Sequence, residues 1–302
     1  MITSAYIGLK NDRLKVEIAK PGTVYAGSRF DWTGFITQVY LDGKHTFCAY
    51  EDVVPGIGSG GIGFCNDFGL NTPVGYDDTA VGEGYMKIGI GTVIKEDVPM
   101  GATHMLAMKI SENAAITYRY GEDFAEFHSV NPEINGYKCE LTKRISIEDN
   151  NMTVDYKLVN TGSKKIVTEE YIHNFVCIDG QYVGPNYKAE VAFSPDEKMF
   201  ERMQRFQPDM VFENNVITFK KTFEGRAFYT KGFDVKDCGG AHWKITEENS
   251  GCSVSETDSF QAPYMACWGT KYVISPEAFI NIDLMPGEEM TWSRSYRFDD
   301  GK

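Results

Sequence analysis

Two short stretches of this chain combine residue types and spacing that could carry proton chemistry: Tyr171-Ile172-His173-Asn174-Phe175 and Val273-Ile274-Ser275-Pro276-Glu277. An imidazole titrates near neutral pH, and aromatic or acidic neighbours can tune it to give or take a proton there. If the first stretch is a strand, its period of two puts Tyr171, His173 and Phe175 on one face, with Glu170, Ile172 and Asn174 on the other. Pro276 has no N–H to give to a ladder, so Glu277 is expected at a strand edge or mouth, where a carboxylate can face a cleft. Each residue also has a plainer reading: His173 as a core histidine satisfied by a backbone carbonyl, and Glu277 as a solvated surface acid.

The elements that would hold these groups read as strands. Val154, Tyr156 and Leu158 alternate with Asp155 and Lys157. Asn160-Thr161-Gly162-Ser163 supplies a turn, and Ile166-Val167-Thr168 leads back, so a β-hairpin ending in His173 is expected. Similar segments recur about every ten residues from Leu14 to the C-terminus, each closed by a turn signal such as Asp42-Gly43, Gly121-Glu122-Asp123, Asn214-Asn215 or Pro286-Gly287. Met290, Trp292, Arg294, Tyr296 and Phe298 alternate in the last of them. This is the pattern of a large all-β sandwich or barrel of antiparallel strands. One stretch departs from it. Ser194-Pro195-Asp196-Glu197 reads as an N-cap, a first-turn proline and a capping-box glutamate, and Met199, Met203 and Phe206 follow at helical spacing, giving one short helix ending near Gln207-Pro208. The continuity of the strand pattern favours a single domain over residues 1–302.

The bulk numbers narrow the partners. With 42% hydrophobic and 13% aromatic residues, the 302-residue chain can bury a large core. Thirty basic against 43 acidic residues give a net charge of −13. There is no basic stripe to neutralise phosphates, which argues against nucleic acid and anionic membranes. No apolar run approaches membrane-spanning length, and nothing N-terminal resembles a secretory leader. The seven cysteines are widely spaced and form no Cys-x-x-Cys pair, which fits reduced thiols in a cytoplasmic protein. The expected partner is a small neutral or locally steered molecule, or another protein.

Other motifs carry less. Gly56-x-Gly58-x-x-Gly61 matches a dinucleotide fingerprint in letters, but Pro55 precedes it and no helical periodicity follows, so it reads as a glycine-rich loop rimming a sheet. Five histidines (45, 104, 128, 173 and 242) lack metal-ligand spacing, no serine sits in a Gly-x-Ser-x-Gly context, and neither metal nor cofactor is expected.

Taken in order, Arg29-Phe30-Asp31-Trp32, Gly84-Tyr85-Met86-Lys87-Ile88-Gly89-Ile90-Gly91, Asn160-Thr161-Gly162, Tyr171-Ile172-His173-Asn174-Phe175 and Pro286-Gly287-Glu288 resemble the galactose mutarotase-like (aldose 1-epimerase-like) superfamily. The resemblance spans roughly residues 29–298 and looks closest to a divergent bacterial branch. It implies a supersandwich of large antiparallel sheets with a sugar cleft on a concave face. It also implies a general acid at His173 and a general base at Glu277. The chain departs from the family pattern around both. The usual Asn-His-x-Tyr-Phe-Asn reads Ile172-His173-Asn174-Phe175, the usual Asn-Arg-Ile reads Asn66-Asp67-Phe68, Lys87 stands where a second histidine is usual, and Glu-Pro-Gln appears as Pro276-Glu277.

The resemblance therefore implies anomer interconversion with altered sugar recognition. Ionised Glu277 would take the proton of the anomeric hydroxyl while protonated His173 delivers one to the ring oxygen, which needs pKa values displaced in opposite directions. Trp268 or Trp32 could stack on the sugar face, and Arg29, Asp67, Lys87, Asn174 and Asp179 are candidate hydroxyl-binding groups. Asn174 and Asp179 read equally well as ladder and turn residues. Two other functions share the cleft: a non-catalytic carbohydrate-binding protein, and a glycosidase pairing Glu277 with Asp179 or Glu126.

Overall fold

A computed structural model describes residues 4–51 and 59–302. The loop glycines Gly56 and Gly58 fall outside the described residues. Nearly all regular structure is antiparallel β. The largest sheet has ten strands, running from Met210–Glu213 at one edge to Ala115–Tyr120 at the other, with Ser253–Asp258, Glu289–Asp299, Asn151–Asn160 and Cys139–Glu148 adjacent at its centre. A seven-stranded sheet contains Tyr6–Lys10, Leu14–Ala19, Phe35–Leu41, Phe64–Phe68, Ile166–Asn174 and Ile280–Leu284 in that order, with His45–Thr46 paired to Phe35–Leu41. Two three-stranded sheets complete it, one of Phe228–Gly232, Met265–Gly269 and Ile274–Ala278, the other of Gly84–Lys87, Gly91–Ile94 and Ile110–Asn113.

Alternation explains how the two large sheets meet. The terminal strand turns Trp292, Arg294, Tyr296 and Phe298 inward, all buried. Their rings lie against aromatics of the facing layer: Phe64 stacks on Tyr296 and Phe47 meets Phe298 edge-on, each at 4.9 Å, while Phe68 meets Trp292 at 6.5 Å. Burying one such aromatic contributes about 1.5–3 kcal/mol.

Two expectations change. The segment around Asn160 is not a hairpin turn: Asn151–Asn160 pairs with Cys139–Glu148 and Glu289–Asp299, whereas Ile166–Asn174 pairs with Phe64–Phe68 and Ile280–Leu284. The turn is a corner that carries the chain from one layer to the other. Asn160 makes it, accepting the Gly162 N–H (3.0 Å) on its side-chain oxygen and donating to the carbonyls of Lys164 and Leu284, each at 2.9 Å. The helix runs Glu197–Phe206 and is capped by Asp196, whose carboxylate accepts the Met199 N–H at 2.9 Å, two residues later than the Ser194 cap expected. No helix among the described residues is long and apolar enough to cross a membrane.

Candidate functional site

Strand Ile166–Asn174 is buried on both faces, and the two faces do different work. Glu170, Ile172 and Asn174 point between the layers. Tyr171 and His173 point the other way, onto the wall of a cleft of about 710 Å³. The short strand Ile274–Ala278 forms the edge of its sheet, as Pro276 requires, and lies beside the end of the His173 strand through a reciprocal Val176–Ile274 bridge (3.0 and 3.1 Å). One residue further along, the Ser275 hydroxyl takes the Asn174 N–H at 2.9 Å, where a backbone carbonyl would serve in a regular ladder. That substitution brings a hydroxyl, an imidazole and, by period two, a carboxylate together.

The resulting cluster is compact and nearly dry. His173 Nδ1 lies 2.7 Å from Ser275 Oγ and 3.3 Å from Glu277 Oε1, and Ser275 Oγ lies 3.1 Å from the same Glu277 oxygen. His173 and Glu277 are each 4% exposed and both line the cleft. The imidazole is stacked on Phe175 (centroids 4.0 Å) and meets the edge of Trp268 at 5.0 Å, which fixes its plane. The donor count assigns the protons. Ser275 Oγ accepts from Asn174 N–H and from His173 Nδ1–H, and its own hydrogen goes to Glu277 Oε1. With Nδ1 so engaged, Nε2 and the second carboxylate oxygen are the atoms left for a ligand.

Burial sets the protonation of the pair. It lowers the His173 pKa well below its ordinary value, reinforced by the nearby Arg29 charge. It also raises Glu277 to about 8, a shift that Arg29 and the Ser275 hydrogen bond oppose. Both displacements run opposite to the assignment expected from sequence, because removing water penalises imidazolium and carboxylate alike. At neutral pH the free site holds a neutral imidazole beside a carboxylic acid.

Arg29 supports this arrangement from the cleft wall. Its guanidinium reaches Asp67 (Nε–Oδ2 3.0 Å), the Tyr171 hydroxyl (2.8 Å) and Ser59 (2.7 Å), and lies 4.6 Å over the Phe30 ring. Asp67 also takes Lys87 Nζ at 2.7 Å. These two candidates stand behind Arg29 rather than on the cleft: Asp67 is fully buried, and the Lys87 amine is spent on Asp67 and the Phe68 carbonyl. Asn174 lies between the layers, bonded to Glu256, the Pro276 carbonyl and the Tyr296 hydroxyl. Asp179 sits at a separate corner at positive φ (52°), bonded to His45 Nδ1 and the Thr46 N–H, each at 2.8 Å. There His45, Asp179 and Cys252 bring possible metal ligands within 4.8 Å of one another, although the hydrogen bond already joins two of them. Of the two tryptophans considered, Trp268 lines the cleft, while Trp32 is buried with its indole N–H on the Gly27 carbonyl. Glu126 pairs with Arg119 and Arg144 on the ten-stranded sheet, so neither it nor Asp179 joins Glu277 at the cleft.

Sequence alone did not single out the cleft residues His104, Glu51 and Arg226, nor Ser275, which lies fully buried behind the wall. His104 Nδ1 is buried without a hydrogen-bond partner among the described residues, and burial lowers its pKa. Ser275 carried a readable signal, since a hydroxyl two residues before the glutamate must share its face. The other three reach the cleft from loops, where no periodicity points.

No family model matches the chain, and no curated protein matches it in sequence. Its architecture does have counterparts among solved structures. A galactose mutarotase related enzyme from Lactobacillus acidophilus superposes with a TM-score of 0.59 at 12% identity, covering 98% of both chains. A galactose mutarotase-like protein from Clostridium acetobutylicum gives 0.58 at 12%, covering 98% of this chain and 95% of that one. The GalM/aldose epimerase homologue from C. elegans gives 0.57 at 10%, covering 99% and 100%. The chain has the galactose mutarotase-like fold. At such identities the likeness is one of architecture, and the chemistry must be argued from the cleft itself.

Proposed function

We propose that this protein interconverts the anomers of an aldose or aldose derivative, with His173 and Glu277 exchanging protons with the sugar. The observation that carries the reading is their 3.3 Å approach on the wall of one cleft large enough for a sugar ring. The fold shared with mutarotase-related proteins supports it. Neutral Nε2 of His173 takes the proton of the anomeric hydroxyl as the Glu277 carboxylic acid delivers one to the ring oxygen. The C1–ring-oxygen bond breaks and an aldehyde forms. The pair is then imidazolium and carboxylate, one proton still shared between them. After rotation about C1–C2, the carboxylate removes the proton from the former ring oxygen as that oxygen attacks the other carbonyl face. The imidazolium returns its proton to O1. Atoms and charge balance, and the site is reset without exchange with water.

Ser275 keeps this cycle possible by holding His173 as the Nδ1–H tautomer with its basic nitrogen toward the cleft. The buried charge of Arg29 supports the carboxylate that appears midway. Trp268 supplies an apolar surface for the ring. Purified protein should speed the α-to-β relaxation of at least one fresh aldose, followed by polarimetry or NMR exchange. His173→Asn and Glu277→Gln should each cut that acceleration about 10²–10⁴-fold while leaving the fold intact. Relaxation at the buffer rate for a broad set of aldoses and aldose derivatives would sink the reading, and calorimetric sugar binding without exchange would favour a binding protein in its place.

A further inference from the structure

Charge on the cleft wall is arranged differently from charge on the rest of the molecule. The chain carries a net −13. Yet Arg29 and Lys87 share the single carboxylate of Asp67, which leaves one buried positive charge in surplus beside His173 and Glu277. A second guanidinium, Arg226, lines the same cleft, is exposed, and makes no hydrogen bond or ion pair among the described residues. The opposing carboxylate on the wall, Glu51, is held by the Ser59 hydroxyl and the Ser59 and Gly61 N–H groups. Its charge offsets one of the two positive ones. Of the remaining lining groups that titrate, His104, His173, Tyr171 and Tyr229 carry no negative charge at neutral pH, and burial raises Glu277 to about 8, which keeps it protonated there. Among the described residues the cleft wall is therefore net positive.

Register places Arg226 at the far end from the proton-transfer groups. Tyr229 lies opposite Trp268, and Trp268 opposite Ser275, so the strands set Trp268 beside the His173 cluster. Glu277, opposite Ala266, lies on one side of that point. Arg226 comes from the loop on the other, three residues before Tyr229. A sugar with its anomeric carbon at His173 and Glu277 and its ring over Trp268 thus directs its opposite end toward Arg226. A neutral aldose offers that guanidinium only hydroxyl oxygens, whereas an anionic group offers a charge-assisted, bidentate pair.

From this geometry we infer that the cleft takes an aldose bearing a fixed anionic group, phosphate or carboxylate, at the end remote from the anomeric carbon, and that Arg226 binds that group. The inference names the substrate class for the anomer exchange proposed above, but binding tests it independently. An anion meets a positive hollow in an otherwise acidic protein, so the local field also selects against wrong entry of anions elsewhere. Phosphate and carboxylate both fit a guanidinium fork, and the experiment separates them.

Isothermal calorimetry on the full chain with glucose 6-phosphate, glucuronate and glucose is the test. At least one of the two anionic sugars should bind ten times tighter than glucose or better, and its advantage should shrink as salt rises. Arg226→Gln should lower the anionic-to-neutral affinity ratio about tenfold to a hundredfold, and Arg226→Lys should restore part of it. His173→Asn should keep the ratio while anomer exchange is lost. Anions that bind no tighter than glucose, or a ratio indifferent to Arg226→Gln, would overturn the inference and leave anomer exchange on neutral sugars standing. Tight anion binding without exchange of any sugar would do the reverse.

Discussion

Two arginines are buried in this protein, and their surroundings are opposite in sign. Arg294, sealed between the layers, faces Glu170 (2.7 Å), Glu256 (3.0 Å) and Asp258 (3.4 Å). That is more acid than one guanidinium can neutralise, and the site answers by holding protons. Burial pushes Glu170 up, and burial together with the Glu256 charge pushes Asp258 well above the carboxylate range. Arg29 stands in the reverse situation, two cations to one carboxylate. The charge of Arg29 has no comparable remedy, since a guanidinium does not give up its proton. The sealed cluster balances itself. The open one is left for whatever enters the cleft. A closed ionic knot thus reads as architecture, and an open unbalanced one as a site.

Breaking the sealed knot should have the largest effect. Arg294→Met leaves three buried acids without their cation and should cost about 3–5 kcal/mol in urea unfolding. The loss should be greater at pH 8 than at pH 5, because the stranded carboxyls stay neutral only while protons are plentiful. The matching change at the cleft, Asp67→Asn, removes the carboxylate between two cations. Arg29 itself lines the cleft, where an anion can pair with it, so a smaller loss of about 1–3 kcal/mol is expected, partly recovered by added phosphate. Equal losses from the two substitutions would erase the distinction drawn between them.

Ser275→Ala should slow anomer exchange about tenfold by releasing the His173 tautomer, with a shifted pH profile that simple loosening would not produce. The profile itself follows from the two displaced groups. Exchange should fall at acid pH as His173 takes a proton, and again near pH 8 as Glu277 loses one. Glu277 also links stability to pH. Its folded-state pKa lies above the unfolded one, so its contribution is complete below the ordinary carboxyl range and is lost as pH rises through about 8. Glu277→Gln should flatten that part of the stability curve, the smallest of these effects, visible by thermal unfolding at pH 5 and pH 8.

Much of the frame was legible because period-two patterning reports which face of a strand is buried. It reported Tyr171 and His173 as one face and Trp292, Tyr296 and Phe298 as another, and both faces are real. It does not report a strand's partner, which is why Asn160 to Ser163 reads as a hairpin and folds as a corner between layers. The same limit applies to the site. His173, Glu277, Arg29 and Trp268 meet at the cleft. Lys87 and Asp67 find each other first, since two opposite charges in a dry interior pair before either can face a ligand. Asn174 shares a strand with His173 yet lies on the alternate face, where Glu256 and Tyr296 claim it. Arg226 and His104 sit on loops, and only three dimensions bring them in.

The corner asparagine has a mechanical consequence. Its amide holds Leu284, at the end of the strand that pairs with the His173 strand, and its backbone bonds Gly287 and Glu288, just ahead of the strand that closes the opposite layer. One side chain is thus a rivet through both sheets. Hydrogen exchange after Asn160→Ala should show the amides of residues 166–170 and 280–284 opening together, a seam parting while the ten-stranded sheet stays shut.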